Sequence, residues 1–517
     1  MALLRFTATV GGYTLLSRIL GFVRDVAIAH FVAAGPVADA FFVAFRFPNM
    51  FRRLVGEGAF ANAFVPLFAR RLEGAGRAGA LAFAEQALAV MLAAMFVLLL
   101  AAELAMPWLI SVLAPGFAAD PERFALTVEL TRITFPYLLF MALVALLGAV
   151  LNALLRFAAA AATPILLNIV LIAALFGLGH VLETPGHALA WGVAAAGAGQ
   201  FLFMLIACRR AGAPLRLRRP RLTPGVRRLL VLMLPGLVGA GVHQINLLVS
   251  TIVASFEDGA VSFLYYADRL VQLPLGVVGV AMGVALLPLL ARQLRGGAAA
   301  EAVDIQNRAI EFALLLTLPA TAALLAVPGP IVAVLFEHGA FDAADTAATA
   351  AALAAYAAGL PAYVLVKVLS PGFFAREDMV APVKIAAAAM VLNVALAVAL
   401  FLPFGHVGVA VATAAASWLN ALLLGAVLYR RGHLSIDARL RARVPRMAVA
   451  ALAMAGVVFG LAWLLVSALA GGVALRIAAL TGLVLVGLGV FGGLAVVTGV
   501  ARPDELRGLF RRANRPS

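Results

Sequence analysis

The chain has 517 residues, of which 64% are hydrophobic and 12% are charged, and its mean hydropathy is +1.06. A soluble chain is about half apolar and about a quarter charged, so the composition excludes a soluble globular protein and predicts an integral membrane protein. The formal net charge is +15. Its arginines are spread over short segments between apolar runs, which favours lipid headgroups over nucleic acid as their partners.

Apolar runs long enough to cross a ~30 Å hydrocarbon layer as helices recur along the chain. They are rich in Ala and Leu and lack the ~10-residue alternation of a membrane β-barrel. The predicted fold class is therefore an all-α polytopic membrane protein. Charge clusters, Gly/Pro pairs and polar loops predict fourteen spans, near 7–33, 37–69, 81–110, 123–152, 157–179, 186–208, 229–256, 259–291, 303–327, 343–372, 377–402, 405–429, 446–469 and 473–500.

The first span contains Arg18, Arg24 and Asp25, which interrupt its apolar run. No small-residue cleavage site follows, so we expect a retained helix rather than a cleaved signal peptide. The second span, with the sequence FRFPNMFRRLVGEG at 45–58, is more highly charged. On an ideal helix, four of its charges fall within about 40° of one another. They are Asp39, Arg46, Arg53 and Glu57, with Arg52 on another face.

The loops between the predicted spans alternate in charge. One set is rich in arginine and includes 70–80, 209–228 and 430–446, whereas the other contains acidic residues and almost no arginine. Because positive loops stay in the cytoplasm, this alternation predicts that both termini are cytoplasmic.

The two halves of the chain resemble each other. AFVPLFAR at 63–70 matches ALLPLLAR at 285–292, and Asn168 aligns with Asn393. Each half holds six spans, an even number, so the repeats are parallel and predict two bundles around a central cavity with alternating access. The predicted domains are an N lobe (1–221, spans 1–6), a C lobe (222–431, spans 7–12) and a C-terminal part (432–517, spans 13 and 14 with a tail).

Charged residues inside spans are costly, at about 2.5–3.5 kcal/mol each near the centre, so they cannot face lipid. Span 8 adds Asp268 and Arg269. One interpretation is that acid–arginine pairs tie helices together. The other is a net-positive cavity for an anion, phosphate in particular, since a guanidinium donates in parallel to two oxygens. His243 and Asn393 could bind a cation or relay protons, or could form interhelical hydrogen bonds.

Two stretches also carry a resemblance to a known family. The run SRILGFVRDVAIAHF…ADAFFVAFRFPNMFRRLVGEGAFANAFVP at 17–66 and YYADRLVQLPLGVVGVAMG at 265–283 resemble the signature of the MurJ (MviN) lipid II flippases of the MOP transporter superfamily. The resemblance implies two six-helix lobes and two further C-terminal helices whose groove receives a lipid tail. It implies transport of lipid II, the undecaprenyl-pyrophosphate-linked peptidoglycan precursor, from the cytoplasmic to the periplasmic leaflet of the bacterial inner membrane.

The resemblance also implies roles for particular residues. Gln272 departs from the family pattern, because many relatives have a carboxylate there. Gating or charge pairing is expected at Asp25, Asp39, Arg46, Glu57, Asp268 and Gln272. Substrate binding is expected at Arg18, Arg24, Asn49, Arg52, Arg53, Ser262 and Arg269.

The leading hypothesis is thus a flippase in cell-wall synthesis, not an enzyme. The alternative is a MOP-type exporter of drugs or of another lipid-linked oligosaccharide. No Walker A loop, GxSxG or HExxH motif is present, so no cofactor and no metal are expected. Coupling to an ion gradient or to the membrane potential stays open, as do protein partners in cell-wall synthesis.

Overall fold

The computed structural model describes residues 2–51 and 60–500, with side chains described for 10–50, 60–234, 244–276 and 286–500. Within these residues every regular element is a helix and no strand occurs. The predicted all-α fold class is therefore confirmed. The chain forms two compact units.

Unit 1 covers Met1–Ser262 together with Gly339–Phe341. A short 3₁₀ helix, Pro115–Ala119, lies between its fourth and fifth α-helices. The α-helices are α1 (Ala2–Val32), α2 (Pro36–Phe51), α3 (Phe60–Leu104), α4 (Met106–Leu113), α5 (Pro121–Thr134), α6 (Tyr137–Ala153), α7 (Ala158–Leu178), α8 (Pro185–Arg210) and α9 (Pro224–Ala254).

Unit 2 covers Phe263–His338 and Asp342–Ser517. Helix α10 (Ala260–Arg295) begins at the boundary between the units and continues in unit 2. The further helices are α11 (Ala299–Ala326), α12 (Pro328–Phe336), α13 (Ala343–Phe374), α14 (Val380–Arg430), α15 (Ala438–Leu464), α16 (Val466–Leu469) and α17 (Val473–Val497). The units are defined by compactness and place α9 with unit 1, whereas the lobes were predicted from the repeat. The repeat-based domain ranges stay a prediction.

Nine helical segments in the described part of the chain are long and apolar enough to cross a membrane, and one of them consists of α5 and α6 together. Two of them are each divided by a non-helical glycine, Gly76 in α3 (φ 67°) and Gly405 in α14 (φ 54°). Glycine adopts such positive φ values without the steric cost that a Cβ imposes. The divided segments correspond to predicted spans 2 and 3 and spans 11 and 12. The total of fourteen crossings stays a prediction.

Two segments predicted as loops are more helical than expected. Helix α3 continues through 70–80 apart from Gly76. Helix α15 begins at Ala438, within the segment that we predicted as a basic loop, because Asp437 caps it by accepting from the Leu440 amide at 2.6 Å. Charged residues set the predicted ends of these spans, but arginine is a good helix former and does not stop a helix.

The arginine-rich segment after α8 is held by two neighbouring residues of α3. The buried Glu85 carboxylate accepts from the Arg216 amide at 3.0 Å and from Arg218 Nε at 2.5 Å. Gln86 donates to the carbonyl oxygens of Arg219 and Arg221. The segment therefore docks on unit 1 through specific contacts as well as supplying positive charge.

A buried charge cluster attaches α15 to the rest of unit 2. Glu311 of α11 is 6% exposed and accepts from Arg443, which is also 6% exposed. Arg439 adds a second contact, Nε to Glu311 Oε2 at 3.1 Å, and Arg308 pairs with both Glu311 and Asp437. These ion pairs fix the beginning of α15. The apolar parts of α15 and α17 pack in a cluster that includes Met454, Val458, Leu483 and Phe491.

Candidate functional site

The first predicted site residues lie where α1 packs against α7. Arg24 is 9% exposed and Asp25 is 3% exposed. Arg24 donates through Nε (3.1 Å) and Nη2 (2.7 Å) to Asp25 Oδ1, and through Nη1 to Asn168 Oδ1 at 3.0 Å. Asn168 in turn donates from Nδ2 to the carbonyl oxygen of Ser17 at 3.0 Å. The guanidinium is therefore held in a fixed orientation inside the unit, with a carboxylate that balances its charge.

The internal repeat aligns Asn168 with Asn393. Both amides are buried, at 4% and 1% exposed, within α7 and α14. Asn168 orients an arginine in unit 1. The predicted cation or proton role of Asn393 in unit 2 stays a prediction.

The second cluster is centred on Asp39, at the beginning of α2. Its carboxylate is 0% exposed. It accepts from the Gly259 amide (2.9 Å) and the Ser262 amide (2.8 Å), and also from the Ser262 hydroxyl. Arg123 Nη2 completes the set at 2.5 Å from Asp39 Oδ2. Ser262, predicted as a substrate ligand, is itself 0% exposed and uses both donors on Asp39.

Sequence reasoning missed Arg123, the buried ion-pair partner of Asp39. Its side chain is 3% exposed, lies with Cζ 3.7 Å from the centre of the Phe117 ring, and also pairs with Asp258. Asp120 caps the beginning of α5 and so fixes the helical position of Arg123. One signal was available: an arginine at the acidic end of the spans departs from the loop-charge pattern, and such an arginine needs an internal partner.

Arg46, seven residues after Asp39 on α2, contacts α9. Its Nη1 donates to the Leu247 carbonyl oxygen at 3.3 Å and to the Thr251 hydroxyl. Asp39 and Arg46 thus lie on one face of α2, as the helical periodicity predicted, and each contacts polar groups from other segments of unit 1.

In unit 2 the predicted residues lie in the first half of α10. Gln272 donates from Nε2 to Asp268 Oδ2 one turn away. Arg269 lies over the Tyr265 ring, with Cζ 4.5 Å from its centre. A carboxylate at 272 would instead face Asp268 as a like charge at the i,i+4 spacing, which is unfavourable. Gln272 instead gives Asp268 a hydrogen-bond donor.

For the remaining predicted residues the structure gives only the exposure of the side chain, or does not describe them. Arg18 is exposed and Asn49 is half-buried. Arg52, Arg53 and Glu57 lie outside the described residues, as does the side chain of His243.

Comparison with known proteins identifies the family. The profile of the family described as lipid II flippase MurJ matches residues 28–479. A probable lipid II flippase MurJ from Rhizobium meliloti (strain 1021) is 47% identical, over 99% of this chain and 97% of its own length. The chain belongs to the lipid II flippase MurJ family. A second MurJ relative, from Rhizobium tropici, is 48% identical over 89% of this chain and 87% of its own.

Solved structures agree with this assignment. A lipid II flippase MurJ in an inward closed conformation superposes with a TM-score of 0.79 at 25% identity, covering 94% of this chain and 98% of the other. An inward-facing multidrug resistance MATE family transporter of the MOP superfamily reaches 0.67 at 16% identity, over 82% of this chain and 98% of its own. The MATE likeness establishes a shared fold. As a MurJ family member, the chain is a membrane transporter and not an enzyme.

Proposed function

We propose that this chain, a lipid II flippase of the MurJ family, moves lipid II from the cytoplasmic to the periplasmic leaflet by alternating access and binds the pyrophosphate through buried arginines. The observation that carries the proposal is the Arg24 cluster. A buried guanidinium is held in place by Asn168 and forms an ion pair with the carboxylate next to it in the sequence.

The chemistry of the Arg24 cluster suits an exchange of anions. Asp25 occupies the edge of the guanidinium formed by Nε and Nη2. A pyrophosphate presents more oxygens and more negative charge than one carboxylate, and Arg binds phosphate through the same parallel fork. In this proposal Asp25 balances Arg24 until the substrate takes over the fork. Because Asn168 holds Nη1, the guanidinium keeps its orientation during the exchange.

Arg269 is the corresponding candidate in the second half of the chain. Its guanidinium lies over the Tyr265 ring, a cation–π contact that restrains its position, and guanidinium N–H groups donate within the guanidinium plane. Arg18, Asn49, Arg52, Arg53 and Ser262 stay in the proposal as further substrate contacts. Ser262 would contribute only if its hydrogen bonds to Asp39 opened.

The direction of transport rests on the loop charges. Arginine-rich loops favour the cytoplasmic side, which supports cytoplasmic termini and periplasmic acidic loops. We further propose that the membrane potential or an ion gradient drives the cycle, with His243 and Asn393 as candidate ion or proton sites, and that cell-wall synthesis proteins are partners.

Export of cationic drugs, the main alternative, is not favoured. Its support is the MATE fold at 16% identity, which carries no information on substrate. A cationic substrate would need acidic groups free to meet it, whereas Asp25 and Asp39 each pair with an arginine.

The test compares two single variants, Arg24→Ala and Arg24→Lys, and one double variant that combines Arg24→Ala with Asp25→Asn. Charge-assisted hydrogen bonds contribute about 1.5–3 kcal/mol, so Arg24→Ala should weaken lipid II binding about 10-fold or more. Arg24→Lys should recover binding only in part, since it keeps the charge but loses the fork. Binding to purified protein, complementation and membrane abundance are measured together, with the exposed Arg156→Ala as the control.

A purely structural role of Arg24 predicts a different pattern. Arg24→Ala would strand the buried Asp25 carboxylate and lower membrane abundance, and Asp25→Asn in the same chain would restore function. Rescue of lipid II binding by the double change would therefore contradict the proposed substrate contact.

A further inference from the structure

A group of three ligand-bearing side chains lies apart from the Arg24 and Asp39 clusters, where α5 packs against the beginning of α8. Glu129 belongs to α5, Glu183 precedes α8, and His187 lies in its first turn. Each offers one ligand atom, and the three atoms lie within 4.8 Å of one another. We propose that Glu129, Glu183 and His187 bind a divalent transition metal, with Zn²⁺ preferred.

His187 is oriented as a metal ligand. Its side chain is 7% exposed, and Nδ1 lies 2.9 Å from Thr184 Oγ1. With Nδ1–H donating to Thr184, the lone pair is on Nε2, which lies 3.4 Å and 3.9 Å from oxygens of the two carboxylates. Nε2 is buried, and no hydrogen-bond partner meets it among the described residues. A histidine fixed through one ring nitrogen with the other directed at the ion is the usual arrangement in metal sites.

The distances fit a tetrahedral ion. Zn²⁺ bonds to nitrogen and oxygen are about 2.0–2.2 Å long, so two ligand atoms lie about 3.4 Å apart. His187 Nε2 is 3.4 Å from Glu129 Oε1 and 3.9 Å from Glu183 Oε2. The Glu183 side chain is 83% exposed and can close the remaining distance. Three protein ligands leave a fourth position for water.

The ligand set also selects the ion. Ca²⁺ and Mg²⁺ are bound by oxygen atoms, and Mg²⁺ keeps most of its waters, so an imidazole disfavours both. Imidazole with carboxylates suits Zn²⁺. The competing explanation is an imidazolium paired with two glutamates. Such a pair would be strongest with Nε2–H donating to a carboxylate oxygen, and the contact with Glu129 does not have hydrogen-bond geometry.

An ion here would join α5 to α8 within unit 1. Arg123 lies six residues before Glu129 on α5, about 9 Å along the helix. The metal would thus stabilise α5, whose Arg123 pairs with Asp39 of α2, and saturating Zn²⁺ should raise the Tm of the protein.

The experiment uses the full-length protein in detergent, purified through an affinity tag that contains no histidine and stripped with a chelator. Calorimetry and metal analysis after gel filtration should give one Zn²⁺ per chain and no binding of Mg²⁺. His187→Gln and Glu129→Gln should abolish stoichiometric binding. Thr184→Val should weaken it about 10- to 100-fold, as expected for a residue that orients a ligand. Thr184 makes no side-chain cap bond, so this change leaves the beginning of α8 intact.

Matched controls are His180→Gln and Glu122→Gln, since both side chains are exposed and lie outside the group. They should bind Zn²⁺ like the unaltered chain. Co²⁺ should give the visible absorption of a tetrahedral site, and this signal should disappear in Glu129→Gln. Absence of stoichiometric Zn²⁺ binding to the unaltered chain would overturn the proposal, as would unchanged binding in Glu129→Gln. Glu129 is exposed, so that variant stays informative if His187→Gln does not fold.

Discussion

Removing the charge of Arg123 should destabilise unit 1 strongly. Arg123→Met keeps an unbranched apolar chain that can still pack on Phe117, but it removes the ion-pair partner of Asp39. The Asp39 carboxylate, 0% exposed, would keep only the donors from Gly259 and Ser262. Asp258, the other partner of Arg123, is 81% exposed and loses little.

The size of the effect follows from burial. Removing one partner of a buried ion pair costs about 3–5 kcal/mol, and we expect the lower end because the hydrogen bonds to Asp39 remain. For a unit of this size, about 3 kcal/mol corresponds to a fall in Tm of about 6–12 °C. Adding Asp39→Asn removes the stranded charge and should recover much of the loss, so the two changes should be strongly non-additive.

The assay is thermal unfolding of the purified protein in detergent. The measured quantity is the fraction of the protein that remains monodisperse after heating. The control is Arg132→Met on the same helix, whose Nε lies 4.0 Å from Glu103 and whose side chain is 49% exposed. An exposed pair of this kind contributes about 0–1 kcal/mol. Equal Tm changes for Arg123→Met and Arg132→Met would refute the reasoning, as would additive effects of Arg123→Met and Asp39→Asn.

Two further predictions concern the charge of α10 and the orientation in the membrane. Gln272→Glu should make complementation depend on pH, with activity lost as the pH rises, because a proton relieves the repulsion from Asp268; Gln272→Met, which adds no charge, should show no such dependence. Cysteines at Arg219 and Arg441 should resist an impermeant thiol reagent in intact cells, whereas one at Ala343 should react. The chain's one native cysteine is fully buried and gives a low background. Reversed labelling would reverse the proposed direction of transport.

Much of the fold could be predicted because helix-forming apolar runs and the loop charges are local properties of the sequence. The helical face shared by Asp39 and Arg46 was predictable for the same reason, since it depends only on the 3.6-residue period. The positions at which glycine divides α3 and α14 could be predicted in part. Gly405 follows Pro403 close to the boundary between two predicted spans, and Gly76 lies in a predicted loop.

The pairing of the charges was not predictable. Asp39 pairs with Arg123, which lies 84 positions further along the chain. It also accepts from Gly259 and Ser262, which lie 220 and 223 positions further along. Only tertiary packing brings such residues together. The nearest arginine in sequence is a good guide for Asp25, which pairs with Arg24, and a poor one for Asp39. The Glu129, Glu183 and His187 group was missed for the same reason.

The most direct test of the central claim is a leaflet-specific assay for lipid II in a bacterium depleted of its own MurJ family flippase and expressing this chain. We predict that the unaltered chain restores lipid II to the periplasmic leaflet and prevents lysis. At equal membrane abundance, Arg24→Ala should leave lipid II in the cytoplasmic leaflet. The proposed flipping of lipid II through Arg24 would be contradicted if the unaltered, membrane-inserted chain left lipid II in the cytoplasmic leaflet, or if Arg24→Ala restored it equally well.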